Sequence, residues 1–273
     1  GTSTATSRTE NTKDHNGDPS MDTSKTCYLF LDFDGTVFLN GTTVPPETRD
    51  ALKTVQSAGH QVILNTGRSR GFAPGDVGIM WDGTIFGGAD YTYRGERHSE
   101  HSLDPEEAQA WFRSAIRRKC WINVEGVKRF YRVNFANHEG DYTEAETKAL
   151  MREYAEMTKG NPITKLSVGV SEVRGEPIAN LNPVSQQTYL ELFPKGMDKG
   201  AILKEFCNRY GIEREQCISF GDSRNDLAAF AFTPTSVSMK GSPKELEALA
   251  TYRAKTDLGV AEGVRHYFSA LFS

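Results

Sequence analysis

Residues 27–36 read Cys27-Tyr28-Leu29-Phe30-Leu31-Asp32-Phe33-Asp34-Gly35-Thr36. The first part is an apolar run of buried-strand length. The second puts two carboxylates at i and i+2, which project to the same side of an extended chain. Gly35 then permits a sharp turn and Thr36 adds a hydroxyl. Working outward, Val44-Pro45-Pro46-Glu47 opens a helix, with proline suited to its first turn. Ala51, Leu52, Val55 and Ala58 follow helical spacing, and Gly59 supplies the stop. Residues 61–65 (QVILN) form a second short strand. Strand, helix and strand within about 40 residues make a βαβ unit and predict a parallel sheet. In an open parallel sheet, ligands bind at the carboxyl ends of the strands, which is where Asp32 and Asp34 fall.

The same grammar returns near the C-terminus. Lys199 to Tyr210 reads as a helix with Ile202, Phe206 and Tyr210 on one stripe and Gly211 behind it. Residues 217–221 (CISFG) read as a strand, and Ser242-Pro243-Lys244-Glu245 as a capping box before another helix. A final helix is expected over 259–272, carrying Val260, Val264, Phe268 and Leu271. The middle differs. Asp104-Pro105-Glu106-Glu107 caps a helix with Ala108, Trp111, Phe112, Ala115 and Ile116 inward, and Thr143-Glu144-Ala145-Glu146 opens another, reaching about Met157. Alternating segments at 129–135, 165–170 and 187–193 surround them. The expected organisation is α/β: a parallel-sheet core at 25–100 and 190–273, split by an α+β module at 101–189. Residues 1–24 contain no Val, Ile, Leu, Phe, Trp or Tyr and are expected to form a mobile tail. They lack the apolar segment of a signal peptide, and Met21 could serve as an internal start.

Composition narrows the partners. Lys and Arg total 32 against 36 Asp and Glu, a formal net charge of -4, so general binding to nucleic-acid backbones is disfavoured. No apolar run is long enough to span a bilayer. Cys27, Cys120, Cys207 and Cys217 form no CxxC pair or zinc-like cluster. They read as packing residues, and a reducing, cytoplasmic setting is expected.

Three further motifs follow predicted strands or open a predicted helix. Asn65-Thr66-Gly67-Arg68 combines a hydroxyl, a flexible backbone and a guanidinium, which suits phosphate. Lys199 sits at a helix start, where the partly positive helix end disfavours a cation unless an anion is near. Lys195 competes for the same role. Gly221-Asp222-Ser223-Arg224-Asn225-Asp226 places two acids four apart across a turn, able to approach one cation. Taken singly, these read as a turn, a solvated arginine, a surface lysine and a helix N-cap. Their joint order is far more specific.

The series DFDGT, NTGRS, a lone lysine and GDSRND resembles the haloacid dehalogenase superfamily of phosphotransferases, and it spans Asp32 to Asp226. About 130 residues separate Arg68 from Lys199, and the α+β insertion there resembles the cap (C2B type) of the IIB, Cof-type phosphatases. Lys199-Gly200-Ala201, Ile218-Ser219-Phe220-Gly221-Asp222 and Gly259-Val260-Ala261-Glu262-Gly263-Val264 are similar to the same branch. Asn225-Asp226-Leu227-Ala228-Ala229-Phe230 departs from its more usual methionine-containing run. The resemblance implies a Rossmann-like core, with Asp32 as nucleophile and Asp34 as general acid and base. It implies Mg²⁺ held by Asp32, the Asp34 carbonyl and Asp222. Gly35, Thr66, Gly67, Lys199 and Asn225 would meet phosphate, and Asp226 would orient Lys199 or the metal shell. Arg68 would contact substrate; Arg132, Asn134 and His138 are weaker candidates. The expected function is phosphatase action on a small phosphorylated metabolite, sugar phosphates first. A phosphomutase and a catalytically silent phospho-ligand-binding protein are the alternatives.

Overall fold

The computed structural model describes residues 21–273, so most of the expected N-terminal tail lies outside the described residues. Strand β1 (Tyr28–Leu31) is followed by helix α1 (Pro46–Ser57) and β2 (Gln61–Thr66), and both strands pair in parallel. Pro46 occupies the first turn of α1, whose buried face is Thr48, Ala51, Leu52 and Val55. Strand β3 (Gly83–Phe86) adds a parallel neighbour to β2, while β4 (Asp90–Tyr93) and β5 (Glu96–His98) turn back antiparallel.

The chain then builds a second sheet. Helix α2 (Pro105–Arg118), β6 (Trp121–Gly126), β7 (Phe130–Asn134), α3 (Glu144–Thr158), β8 (Ile163–Val168), β9 (Leu181–Ser185) and β10 (Leu190–Pro194) follow in order. The strands form an antiparallel sheet ordered β7-β6-β8-β10-β9. Asp104 accepts from the Glu107 N–H at the start of α2, and Thr143 and Glu146 form a reciprocal capping box at α3. One expectation needs correcting here. Residues 190–194, assigned to the core from sequence, are β10 and pair with β8 and β9. Leu190, Leu192, Phe193 and Pro194 are apolar in either sheet, and periodicity alone cannot separate the two.

Helix α4 (Lys199–Tyr210) returns the chain to the first sheet through β11 (Cys217–Gly221), α5 (Leu227–Phe232), β12 (Thr235–Ser238), α6 (Lys244–Leu249), β13 (Tyr252–Arg253) and α7 (Gly259–Tyr267). The complete order is β13-β12-β11-β1-β2-β3-β4-β5. Alternation along the strands splits the core in two. Leu29, Leu31, Val62, Leu64, Ile218 and Phe220 pack with α1 and α7, while Phe30, Ile63 and Ile85 pack with α4 around Phe206. The sheet is therefore covered on both faces, as a largely parallel sheet requires.

Two local expectations fail. Helix α6 has Pro243 at its N-cap and no side-chain cap, because Ser242 Oγ donates instead to the Met239 carbonyl at 2.6 Å. The last helix stops at Tyr267 and continues as a short 3₁₀ turn over Ser269–Phe272, leaving Leu271 exposed. The turn after Met21 is held to the core: Met21 packs against the α1–α7 cluster, and Gln216 Nε2 donates to the Asp22 carbonyl at 3.1 Å.

Candidate active site

The loop after β1 carries Asp32 and Asp34, and Gly35 turns it at φ +80°. A Cβ at Gly35 would lie 1.9 Å from Asp222 Oδ2, so only glycine lets the loops after β1 and β11 meet. Lys199 is fully buried as the first residue of α4. Its Nζ lies 2.6 Å from Asp32 Oδ1 and 2.8 Å from Asp226 Oδ1. Asp198 caps the helix by accepting from the Gly200 and Ala201 N–H groups. This occupies two of the donors that would otherwise face the ammonium. The second oxygen of Asp226 accepts from the Asp222 and Ser223 N–H groups at 2.9 and 3.1 Å, fixing the loop.

Asp32, Asp222 and Asp226 each bring a carboxylate oxygen within 4.8 Å of the others. Their charges are unequal in effect. Burial raises the Asp32 pKa, but Lys199 and a hydrogen bond with Asp222 outweigh it and hold Asp32 below the ordinary value. Burial and then the Asp32 charge push Asp222 up to about 10. Burial, and Asp32 again, raise Asp226 to about 6. One lysine does not offset three clustered acids, two of them buried. Such an oxygen-rich donor set with an excess of negative charge fits a hard divalent cation.

The loop after β2 supplies the opposite wall. Arg68 grips both oxygens of Asp34, Nε donating to Oδ2 and Nη2 to Oδ1, each at 2.7 Å. The guanidinium also lies over Phe33 and Phe72, 5.1 and 4.3 Å from the ring centroids. Thr66 Oγ1 accepts from the Arg68 N–H at 3.1 Å.

The antiparallel sheet closes the cleft. On β6, β8 and β10, residues such as Ile122, Val124, Leu166, Val168, Leu190 and Leu192 pack under α2 and α3. The alternate positions face the core loops across a cavity of about 470 Å³, lined by Trp121, Asn123, Glu125, Lys165, Ser167 and Glu191. Period-2 alternation thus gives one sheet an apolar back and a polar front. On that front Lys165 Nζ lies 2.8 Å from Glu191 Oε2 and 3.5 Å from Glu125 Oε2, all three buried. Burial raises Glu125 despite Lys165, whereas Lys165 and its hydrogen bond hold Glu191 down despite burial. Burial lowers the Lys165 pKa, but the two glutamates reverse this and raise it.

Most residues singled out from sequence line this cavity: Asp32, Asp34, Gly35, Thr66, Gly67, Arg68, Asp222 and Asn225. Lys199 and Asp226 lie buried behind Asp32, and Lys195 is exposed. Of the weaker candidates, Arg132 lines the cavity, and Asn134 lines a neighbouring hollow with Trp121, Asn123 and Arg132. His138 lies apart, bonded to Glu146 at 2.7 Å and stacked on Tyr142. Trp121, Asn123, Glu125, Lys165, Ser167, Tyr189 and Glu191 escaped sequence reasoning. Their signal is one half of the alternation in 121–126, 165–168 and 187–193.

Residues 29–267 match the family model of haloacid dehalogenase-like hydrolases. Over 258 residues the chain is 24% identical to a phosphoglycolate phosphatase of Methanoculleus marisnigri, covering 90% of this chain and 98% of that protein. It is 30% identical to the 5-amino-6-(5-phospho-D-ribitylamino)uracil phosphatase YitU of Bacillus subtilis over 102 residues, only 38% of that protein. Among solved structures, BT1666 from Bacteroides thetaiotaomicron superposes with a TM-score of 0.72 at 19% identity, covering 92% of this chain and 97% of that one. The subclass IIB sugar phosphatase BT4131 gives 0.71 at 19% identity, with 89% and 99% covered. Among the described residues, no helix is long and apolar enough to cross a membrane. A parallel-sheet core carrying the acidic cluster, a separate antiparallel sheet over it and a match across most of the chain agree: this enzyme belongs to the haloacid dehalogenase-like hydrolases, whose named relatives here are phosphatases.

Proposed function

We propose that the protein is a Mg²⁺-dependent phosphatase acting on a small phosphorylated metabolite, sugar phosphates first among them. The observation that carries this reading is Asp32: a buried carboxylate, fixed by Lys199 at 2.6 Å, opening on a cavity that also holds Asp34. A carboxylate kept ionised and immobile is a suitable nucleophile. One Asp32 oxygen attacks phosphorus, and the bond from phosphorus to the leaving oxygen breaks. Asp34, as general acid, gives that oxygen its proton. It then takes a proton from the water that attacks the aspartyl-phosphate, and phosphate departs. Arg68 holds both Asp34 oxygens at 2.7 Å, so substrate must draw the guanidinium away before Asp34 can serve. Thr66, Gly67 and Asn225 stand where a phosphoryl group would be bound.

Asp32 and Asp222, with the Asp34 carbonyl, would hold the cation. Asp226 has both oxygens engaged by Lys199 and the loop N–H groups and supports the set from behind. When bound, Mg²⁺ supplies positive charge against the phosphoryl oxygens and the crowded carboxylates. The polar sheet front over the cavity would exclude water and read the leaving group. A reducing, cytoplasmic setting belongs to the same reading. The test is a turnover screen over sugar phosphates, nucleotides and cofactor phosphates, with and without chelator. Turnover that requires Mg²⁺ and disappears in Asp32→Asn is the expected result. Full activity in Asp32→Asn, or in chelator, would overturn the reading.

A further inference from the structure

The buried charges of the antiparallel sheet do more than line the cleft. Glu191 Oε2 accepts from Lys165, and its Oε1 accepts from Gln186 Nε2 at 2.6 Å and from Asn225 Nδ2 at 2.9 Å. Asn225 belongs to the loop after β11, so this last bond crosses from one sheet's domain to the other. The Asn225 amide is held at both ends, because its Oδ1 accepts from Ser223 Oγ at 2.8 Å. An amide nitrogen has two N–H donors, and Glu191 takes one. The other remains for a ligand in the cavity that Asn225 lines.

A second observation points to the same place from the β2 side. A Cβ at Gly67 would lie 2.9 Å from Asn225 Nδ2, and 3.4 Å from both Glu191 Oε2 and Lys165 Nζ. The missing side chain at 67 is what lets the lysine–glutamate pair reach the amide beside the proposed phosphate position. Neighbouring contacts share this geometry: the Ser69 N–H donates to Glu125 Oε1 at 3.2 Å, and the Arg224 N–H to Gln186 Oε1 at 3.3 Å.

We propose that Glu191, held by Lys165, is a positioning residue that aims the Asn225 amide at the phosphoryl group only while the antiparallel sheet is closed on the core. The proposal rests on the phosphatase reading for the identity of the anion, but not for the contact itself. Glu191 touches no reacting atom. It sets the direction of a donor that does, and it makes that direction depend on closure. A carboxylate gripped by three donors is a firm anchor, since hydrogen bonds to charged groups are among the stronger ones.

The test is a double-mutant cycle on Glu191 and Asn225, read by orthophosphate binding in calorimetry and by turnover of p-nitrophenyl phosphate. Glu191→Gln should weaken orthophosphate binding about tenfold and lower kcat by a similar factor, the scale of one charge-assisted hydrogen bond. In an Asn225→Ala background the same change should have almost no further effect. Effects that multiply would overturn the proposal, because they would show Glu191 acting independently of the amide. Glu191→Asp, one methylene shorter, should fall between wild type and Glu191→Gln. If Glu191→Gln unfolds, the paired change Lys165→Met/Glu191→Leu replaces both charges with apolar bulk, which buried pairs often tolerate. It should show the same loss of orthophosphate affinity, and wild-type affinity in that variant would also overturn the proposal. Orthophosphate binding without turnover would defeat the phosphatase reading while leaving the cycle interpretable; a wild type that binds no orthophosphate would defeat both.

Discussion

The parallel core and the antiparallel sheet each bury a lysine between two carboxylates, and the two arrangements differ in what is left over. In the parallel core, Lys199 meets Asp32 and Asp226 at 2.6 and 2.8 Å, and a third acid, Asp222, stands beside them with no lysine or arginine paired to it among the described residues. In the antiparallel sheet, Lys165 meets Glu191 and Glu125 at 2.8 and 3.5 Å, and the spare oxygens accept from Asn225, Gln186 and the Ser69 N–H. The second group is satisfied by protein alone. The first is short of positive charge; burial and then the Asp32 charge push Asp222 up to about 10. A buried lysine between acids can thus belong to a reactive centre or to a fastening, and the unmatched acid tells them apart.

The largest expected contrast comes from removing each lysine. Lys199→Met should lower turnover on the order of 10⁴-fold, since it disarms a group that acts as a unit with Asp32. It should also cost about 3–5 kcal/mol in denaturant unfolding, because two buried carboxylates lose their partner. Lys165→Met should cost less, about 1–3 kcal/mol, because Glu191 keeps Asn225 and Gln186 and Glu125 keeps the Ser69 N–H. Equal losses from the two would erase the distinction.

Next in size is Gly35→Ala. It forces a side chain into the left-handed region and onto Asp222, and should reduce turnover by about 10²-fold through displacement of both loops. Lower turnover together with a lost thermal response to Mg²⁺ is the signature to measure.

The core group's charge shortage also has a pH signature. An acid whose folded pKa is raised binds its proton more tightly folded than unfolded. Its stabilising contribution is complete below the unfolded value of about 3.9 and is lost as pH rises through the folded value. For the metal-free protein, Asp222 should therefore make stability decline from about pH 4 towards about 10. Thermal melts in chelator should show this decline. Asp222→Asn should flatten it, and Mg²⁺ should raise the melting temperature at neutral pH by binding the native state alone. A wild-type decline unchanged in Asp222→Asn would show that the excess charge lies elsewhere.

The smallest effect belongs to His138. It pairs with the exposed Glu146 outside the cavity, so His138→Ala should leave turnover unchanged and change stability little. A large loss of turnover would extend the site beyond the polar sheet front.

Legibility from sequence tracked the range of the interaction. The βαβ unit, the caps at Asp104 and Thr143, and the convergence of the four motifs were readable, because strand ends and helix starts are local signals. Strand β9 was hidden by Pro183, tolerated because β9 lies at the sheet's edge, and β13 by being two residues long. The Glu125–Lys165–Glu191 group was hidden for another reason. Each residue alternates as an ordinary strand residue would, and only the pairing of β6 with β8 and β8 with β10 brings them together. The capping box expected at Ser242 failed because a hydroxyl can bond back to a nearby carbonyl instead of forward to the helix.

The Asp198 cap has a mechanical consequence. Strand β10 ends at Pro194, Gly196 turns the chain at φ +70°, and Lys199 begins α4 only five residues after the strand. Asp198 is clamped on one side by the Gly200 and Ala201 N–H groups, and on the other by Gly88, where a Cβ would stand 3.0 Å from the Asp198 carbonyl carbon. The joint is therefore short and clamped close to the strand end, which ties the start of α4, and with it the ammonium beside Asp32, to the loop that carries Gly88.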